Sequence, residues 1–405
     1  MMKNKLVILS VFVSLIIASA AGATTLRIWA MGEEAKSLHI IAEKFTEENP
    51  GVTIDVQAIP WSGAYDKLLT GIAAGQLPDI AQMGTTWMAP FAAMGAFQEL
   101  SDFIANSDIV DPQNFFEGSW QTAITEEGTV GIPWYVDVRV MYYRTDLLSE
   151  VGYDHPPQTW EDLYDAGKKL TARGPQQSGI SLLFTGTFAN EFMPFAWQNG
   201  ARIIDDEGNV AVKTPEFVEA IEYYSRFFWD EIALKAGGEL IHDFGSGAVP
   251  IFFSGPWMIS MIRNQVPQID GKWDVALLPG KKSQTSFVGG SNWVLFKQSR
   301  NKETAWDFIE FMSRPDIQLQ WYNIVASLPA VVETWGYPEL AEDQMLSVFG
   351  EQLLDARATP NIPQWGQIEQ AISRRVEEAL FQRKTPEQAA EDLHNDIVKI
   401  LGKRR

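Results

Sequence analysis

Fifteen tryptophans in 405 residues are the side chains whose chemistry stands out first. An indole offers a flat apolar face that can lie against the C–H face of a pyranose, and an N–H that can donate to a hydroxyl. Aromatic rings also dominate protein cores, so position must separate the two roles. Trp29, Trp61, Trp87, Trp134, Trp197, Trp257, Trp293 and Trp365 stand at predicted strand ends or in turns flanked by Gly and Pro. Trp160, Trp229, Trp306 and Trp321 sit inside helical patterns and read as packing. Polar groups cluster beside the first set. Gly289-Gly290-Ser291-Asn292-Trp293 offers backbone N–H groups, a hydroxyl, an amide and a ring within five positions. In Trp134-Tyr135-Val136-Asp137-Val138-Arg139 the alternation puts Tyr135, Asp137 and Arg139 on one face of a strand. A carboxylate can accept from two hydroxyls and a guanidinium can donate to several. The competing role for Asp137 and Arg139 is a mutual salt bridge on a solvated face.

Catalytic chemistry finds less support. Acids are plentiful, with 52 Asp and Glu, but no spacing singles out a pair for glycoside hydrolysis. Phe244-Gly245-Ser246-Gly247 is a fragment of a nucleophile elbow and no more. The four histidines, His39, His155, His242 and His394, are scattered without metal-ligand spacing and read as surface residues. Asp205 to Asn209 lacks most of the ligands of a calcium loop. The adjacent Tyr142 and Tyr143 could hold iron, but neighbours on a strand point to opposite sides, so they read as core. No metal or cofactor is expected.

The elements that must position these residues alternate in type. Leu26 to Trp29 reads as a strand, and Leu38, Ile41, Ala42 and Phe45 recur at helical spacing between about Glu34 and Glu48. Asn49-Pro50-Gly51 stops that helix, and Val52 to Ile59 alternates as a second strand. A helix over Ala64 to Ala74 ends at Gly75, before Leu77-Pro78-Asp79-Ile80. This β-α-β-α-β rhythm predicts an α/β protein with mainly parallel sheets flanked by helices. Ligands of such sheets bind beyond the carboxyl ends of strands, where Trp29, Trp61 and the Gln82 to Trp87 segment fall. Further on, Tyr135 to Tyr143 reads as extended, and Thr159 as the cap of a helix reaching Leu170, with Asp162 at the capping-box distance. Ile203 to Val212 reads as a hairpin turning at Asp206-Glu207-Gly208-Asn209. Helices are expected over Pro215 to Trp229, Thr304 to Met312, Asp316 to Ile324, Ile368 to Phe381 and Pro386 to Leu401. No repeat, low-complexity tract or Pro-rich linker interrupts the chain.

Composition narrows the classes. Lys3 and Lys5 precede an apolar run from Leu6 to Ile17, and Ala21-Gly22-Ala23 offers a cleavage site. Residues 1–23 therefore read as a secretory signal, too short in its apolar part to span a bilayer. No cysteine is available for a lipid anchor, so a soluble, exported, monomeric protein starting near Thr24 is expected, without a direct membrane anchor. The remaining chain exceeds what one core usually organises, so two domains are expected, joined by more than one crossing. The net charge of −20 becomes about −22 once Lys3 and Lys5 are removed, which argues against nucleic acid as a partner. Zero cysteines excludes disulfides and thiol nucleophiles.

Several blocks resemble bacterial extracellular solute-binding protein family 1, whose members are sugar-binding subunits of ABC importers and include the maltose-binding protein. They are Leu77-Pro78-Asp79-Ile80 with Gln82-Met83-Gly84, Trp87 and Gly95-Ala96; Met141-Tyr142-Tyr143-Arg144-Thr145-Asp146-Leu147; Phe253-Ser254-Gly255-Pro256-Trp257; Gly289-Gly290-Ser291-Asn292-Trp293; and Pro360-Asn361-Ile362-Pro363-Gln364. The resemblance implies a two-lobed periplasmic-binding-protein fold of type II with a hinge between the lobes. Lobe 1 would hold residues 24–134 plus 286–330, and lobe 2 residues 135–285 plus 331–405. It also implies a sugar ligand, a membrane permease as partner, and no enzymatic activity. Carried over by position, the sugar contacts would be Trp29, Glu33, Trp61, Gln82, Thr85 and Trp87, with Asp137 and Arg139 at the hinge side. Trp257, Gly290, Asn292, Trp293, Arg357 and Trp365 would complete them, and Trp293 would be indispensable for binding. The charged set of the maltose-binding protein's first lobe is not reproduced, so its specificity does not transfer. Arg139 and Arg357 leave a neutral sugar and a uronate both open.

Overall fold

The computed structural model describes residues 24–402 except Thr187, Asp206 and 234–238, and it leaves the Glu33 side chain undescribed. The signal segment 1–23 and the Asp206 position of the expected hairpin lie outside the described residues. Around that turn, Ile204 does bridge Val210.

Strand β1 (Thr24–Met31) runs into α1 (Gly32–Glu48) through Gly32 at φ +67°, a conformation glycine adopts without strain. Strand β2 (Val52–Ile59) leads to α2 (Trp61–Ala74), which closes on Gly75 in the left-handed region, its N–H returning to the Gly71 and Ile72 carbonyls. Strand β3 (Ile80–Gly84) is buried throughout and ends in a single 3₁₀ turn, Thr85–Trp87. After a short helix α3 (Glu117–Gln121), β4 (Ile132–Val138) and β5 (Val140–Arg144) follow each other with only Arg139 between them. Helix α4 (Trp160–Thr171) carries the Thr159/Asp162 capping box read from sequence. Then come α5 (Ala189–Gln198), α6 (Pro215–Trp229), β6 (Ile251–Ser254), α7 (Trp257–Gln265) and β7 (Trp273–Ala276). Strand β8 (Ser286–Leu295) is followed by α8 (Lys302–Met312), α9 (Pro315–Val325) and β9 (Leu328–Pro329). The chain closes with α10 (Gln344–Leu354), β10 (Ala356–Arg357), α11 (Trp365–Leu380) and α12 (Pro386–Ile400).

Two sheets define two lobes. The larger has the order β9-β4-β8-β3-β1-β2, with β10 pairing β8 at its side; the smaller is β6-β5-β7. The sheets are mixed, not mainly parallel as the alternation had suggested. β1 is parallel to β2 and β3, but β8 is antiparallel to β3 and to β4, and the smaller sheet is antiparallel throughout. The reason is chain routing. A parallel neighbour needs a local βαβ crossover, whereas β8 returns to the first lobe from the second and enters from the opposite end.

Alternation along the strands distributes the cores. Leu26, Ile28, Trp134, Trp293 and Trp321 pack with Phe45 and Phe308, and this cluster runs on beneath the junction to Tyr142, Phe252, Trp273 and Phe349. The opposite face of β5 sends Met141 and Tyr143 into a second core with α4, α5, α6, α11 and α12. A third cluster lies under α2, around Met31, Leu68, Met83 and Phe91. Three places mark the junction: β4 running into β5 at Arg139, the start of β8 where it pairs with β10, and the segment 356–361. In the last, Asn361 accepts from Ala89 N–H and donates to the Thr122 and Ile124 carbonyls.

Candidate ligand-binding cleft

The first-lobe wall is built where β1, β2 and β3 end. Trp61, the first residue of α2, is 40% exposed, and its ring meets Trp87 edge to face at 5.5 Å. Its Nε1 lies 2.6 Å from where a Cβ on Gly32 would stand, so glycine at that corner lets the ring lie close over the start of α1. Tyr65, one turn along α2, also meets Trp87 edge to face at 5.5 Å. Gln82 lies beneath, fully buried. Its Oε1 accepts from Met31 N–H at 2.6 Å, and its Nε2 donates to the Tyr135 hydroxyl and to Ser291 Oγ. With every polar function in use, Gln82 ties β1, β3, β4 and β8 together and acts as a positioning residue. Burial, with Glu34 and Asp137 nearby, holds the Tyr135 phenol above its usual range and keeps it protonated.

The strip continues across the junction. Tyr135, Asp137 and Arg139 do share the partly open face of β4, while Val136 and Val138 are buried on the other. Asp137 Oδ1 accepts from Arg139 Nη1 at 2.5 Å, so the mutual ion pair forms, at a half-buried place rather than on a solvated face. Above it the Arg139 guanidinium lies 4.8 Å from the ring of Trp257, which is 44% exposed. The turn that presents this ring is held from the second lobe, since Tyr142 O–H donates to the Gly255 carbonyl at 2.7 Å. A Cβ on Gly255 would stand 2.1 Å from the Trp257 ring and 2.7 Å from Asp137 Oδ1, so only glycine allows the three groups to meet.

On the second-lobe side, Arg139 borders a small cavity of about 210 Å³ lined by Phe188, Pro194, Phe195 and Phe253 together with Asn190, Glu191 and Gln198. Glu191 Oε1 accepts from Leu183 N–H at 2.6 Å and Tyr224 O–H at 3.2 Å. Burial pushes its carboxyl up to about 7. Sequence reading missed Asn190 and Glu191. The available signal was the single carboxylate, Glu191, of a helix rich in aromatic residues.

Trp293, Trp365, Trp29, Gly290, Asn292 and Arg357 do not join the two exposed rings. Trp293 is 0% exposed and stacked on Trp134 at 4.0 Å, because β8 is a central strand covered on both faces. Trp365 is equally enclosed at the start of α11, and Trp134 and Trp197 are buried too. Trp29 points from β1 towards α2, with Lys67 over its ring and Gly71 beside it, on the flank of the first lobe. Gly290, at φ +119°, serves strand contact, since a Cβ there would stand 2.1 Å from the Tyr135 carbonyl oxygen. Asn292 is buried and bonded to Thr122. Arg357 lines a separate groove against α3, beside Glu117 and Gln121. Thr85 is half-buried next to Pro360 and Asn361, and Glu33 opens α1. Among the described residues, no group of His, Asp and Glu is arranged to hold a metal ion, and no helix is long and apolar enough to cross a membrane.

The chain is similar to known proteins over most of its length. The sugar-binding protein MalE of the phytopathogen Xanthomonas citri is 33% identical and superposes with a TM-score of 0.88, over 94% of this chain and 98% of that one. An arabinooligosaccharide-binding protein of Halalkalibacterium halodurans is 24% identical over 93% of this chain and 89% of its own length. A maltotriose-binding protein of Pyrococcus abyssi is 25% identical over 91% and 78%. The model of the bacterial extracellular solute-binding protein family matches residues 31–319, spanning both walls of the cleft, and the chain belongs to that family.

Proposed function

We propose that the protein is the extracytoplasmic substrate-binding subunit of an ABC importer. It captures a mono- or oligosaccharide between its lobes and hands it to a membrane permease, making and breaking no bond. The observation that carries this reading is the pair of exposed indoles, Trp61 and Trp257, one on each lobe. Between them the polar strip Tyr135–Asp137–Arg139 crosses the junction. Two aromatic faces with a donor and an acceptor between them suit an amphipathic ring that carries hydroxyls. The sugar-named relatives support the same ligand class. Glu33, Thr85 and Trp87 are proposed to border the site from the first lobe. The lobes are taken as residues 24–134 plus 286–330 and 135–285 plus 331–405, in a monomer exported by residues 1–23. A ligand touching both lobes favours the closed arrangement by its differential affinity for it.

A thermal-shift screen of protein starting at Thr24, against neutral and acidic mono- and oligosaccharides, tests the reading. A sugar at a hundred times its Kd adds about 2.7 kcal/mol of stability. The sugar assignment fails when no saccharide shifts the transition and a polyamine or another solute does. Turnover of a bound oligosaccharide would replace it with an enzymatic role.

A further inference from the structure

One guanidinium at the junction serves two carboxylates. Arg139, the single residue between β4 and β5, gives Nη1 to Asp137 Oδ1 at 2.5 Å and lies 4.8 Å from the Trp257 ring. A guanidinium has donors to spare, and Nε and Nη2 of Arg139 have no hydrogen-bond partner among the described residues. Arg139 also lines the second-lobe cavity with Glu191, and among the described residues it is the one cation on that wall. Glu191 itself is held by neutral groups, Leu183 N–H at 2.6 Å and Tyr224 O–H at 3.2 Å, both on Oε1. Tyr224 faces it from α6 and stays protonated, because burial, with Glu191 beside it, raises the phenol. Glu369 of α11 accepts from the neighbouring Asn190, and burial raises its carboxyl too. Arg139 is the cation that acts on Glu191 through space, and Asp137 competes for it.

We infer that Arg139 is a pH-set latch at the junction, held by Asp137 over Trp257 while Glu191 is neutral and drawn into the second-lobe cavity when Glu191 ionises. A charged carboxylate among apolar rings is costly until a cation reaches it, and Arg139 is in place to do so. Burial raises the Glu191 carboxyl to about 7, so it is neutral below that pH and ionised above it. Drawing the guanidinium away takes the cation from Trp257 and the partner from Asp137, and the strip across the junction loses its order. Affinity at the proposed site therefore declines as pH rises through 7. That last step rests on the sugar reading above; the latch itself does not.

Fluorine NMR of protein starting at Thr24 and labelled with fluorotryptophan reads the latch without any ligand. Trp257→Phe identifies the Trp257 resonance by its loss. That resonance is expected to shift between about pH 5.5 and about pH 8.5, with its midpoint near 7. In Glu191→Gln, which keeps an acceptor for Leu183 N–H, it is expected to stay in place across that range. Asp137→Asn frees Arg139 from its present partner and is expected to move the midpoint to lower pH. A Trp257 resonance that ignores pH, or shifts equally in Glu191→Gln, overturns the latch, and so does a midpoint that Asp137→Asn leaves unmoved. Calorimetry with a sugar taken from the thermal-shift screen reads the consequence. Its affinity is expected to fall about tenfold across the same range and to stay level with pH in Glu191→Gln. If no saccharide binds, the sugar reading falls and the fluorine titration still decides the latch. If a sugar binds with level affinity while the Trp257 resonance titrates, the coupling to binding alone is overturned.

Discussion

Two tryptophans of identical chemistry have opposite duties, and truncating each separates them. Trp257→Ala removes an exposed ring, so unfolding free energy should move by no more than about 0.5 kcal/mol. Sugar affinity should fall at least tenfold, about 1.4 kcal/mol. Trp293→Ala opens a hole in the Trp134–Trp293–Trp321 stack and should lower stability by about 3–5 kcal/mol. Trp293→Phe should lower it far less, since the Trp293 N–H has no partner to lose. Urea titration and calorimetry on the same three proteins decide between these outcomes, and a Trp293→Ala protein of unaltered stability would return that ring to the cleft. Sequence reading had grouped the two because both follow glycines and polar residues near strand ends. Which ring is covered depends on β8 being flanked by β3 and β4, a long-range pairing that local sequence does not state. Glu191 adds a pH dependence of defined sign. Its folded-state pKa, raised from 4.5 to about 7 by burial, makes the folded state hold the proton more tightly than the unfolded chain. Its contribution is therefore most favourable below about pH 4.5 and declines as pH rises through 7. Tyr224 and Leu183 N–H face it from neighbouring elements and Arg139 from the junction, and all three lower the raised value without cancelling it. The stability of the native protein relative to Glu191→Gln should fall by about 3 kcal/mol between pH 4.5 and pH 8. A difference that stays flat across that range removes the buried-acid assignment.

Elements with local signals were legible from the sequence. The Thr159/Asp162 box, the stop at Gly75 and the alternation of Val52 to Ile59 each state their structure within a few residues. Strand direction was not legible, because β8 is set against β3 only after the chain has built most of the second lobe. Two glycines show how elements convert into site geometry. Gly255→Ala puts a methyl against the movable ring of Trp257 and the Asp137 carboxylate, so the ring must swing aside. Affinity should drop by an order of magnitude or more while the Tyr142–Gly255 hydrogen bond keeps the turn folded. Gly290→Ala meets backbone instead, at 2.1 Å from the Tyr135 carbonyl and at φ +119°, where a side chain is strained. Here the β4–β8 pairing must part, and stability should fall by about 1–3 kcal/mol or more. Thermal melts with calorimetry on both variants check the split, and equal losses of stability would show that Gly255 is structural as well.

At the scale of the whole molecule, the question is whether the lobes move as bodies. The cores give a physical basis for where motion is allowed. The second core closes over β5 on the far side of the smaller sheet, and the third stays within the first-lobe elements from Met31 to Val130 and the end of β8, so each moves as a unit. The first core is different: it runs without a break from Trp134 beneath the junction to Tyr142 and Phe349. Opening that pivots on Arg139 must preserve this apolar seam, which restricts the motion to bending about β4–β5 and disfavours full separation of the lobes. Bending of that kind brings Trp61 and Trp257 towards one ligand and changes the surroundings of both exposed rings at once. Saturating sugar should therefore reduce the radius of gyration in solution scattering and shift the tryptophan emission. Trp61→Ala and Trp257→Ala should each remove part of the emission change, since each ring reports from its own lobe. A sugar that binds with unchanged radius, and an emission change that survives loss of both rings, would mean that the site lies within one lobe and that the strip across the junction is structural.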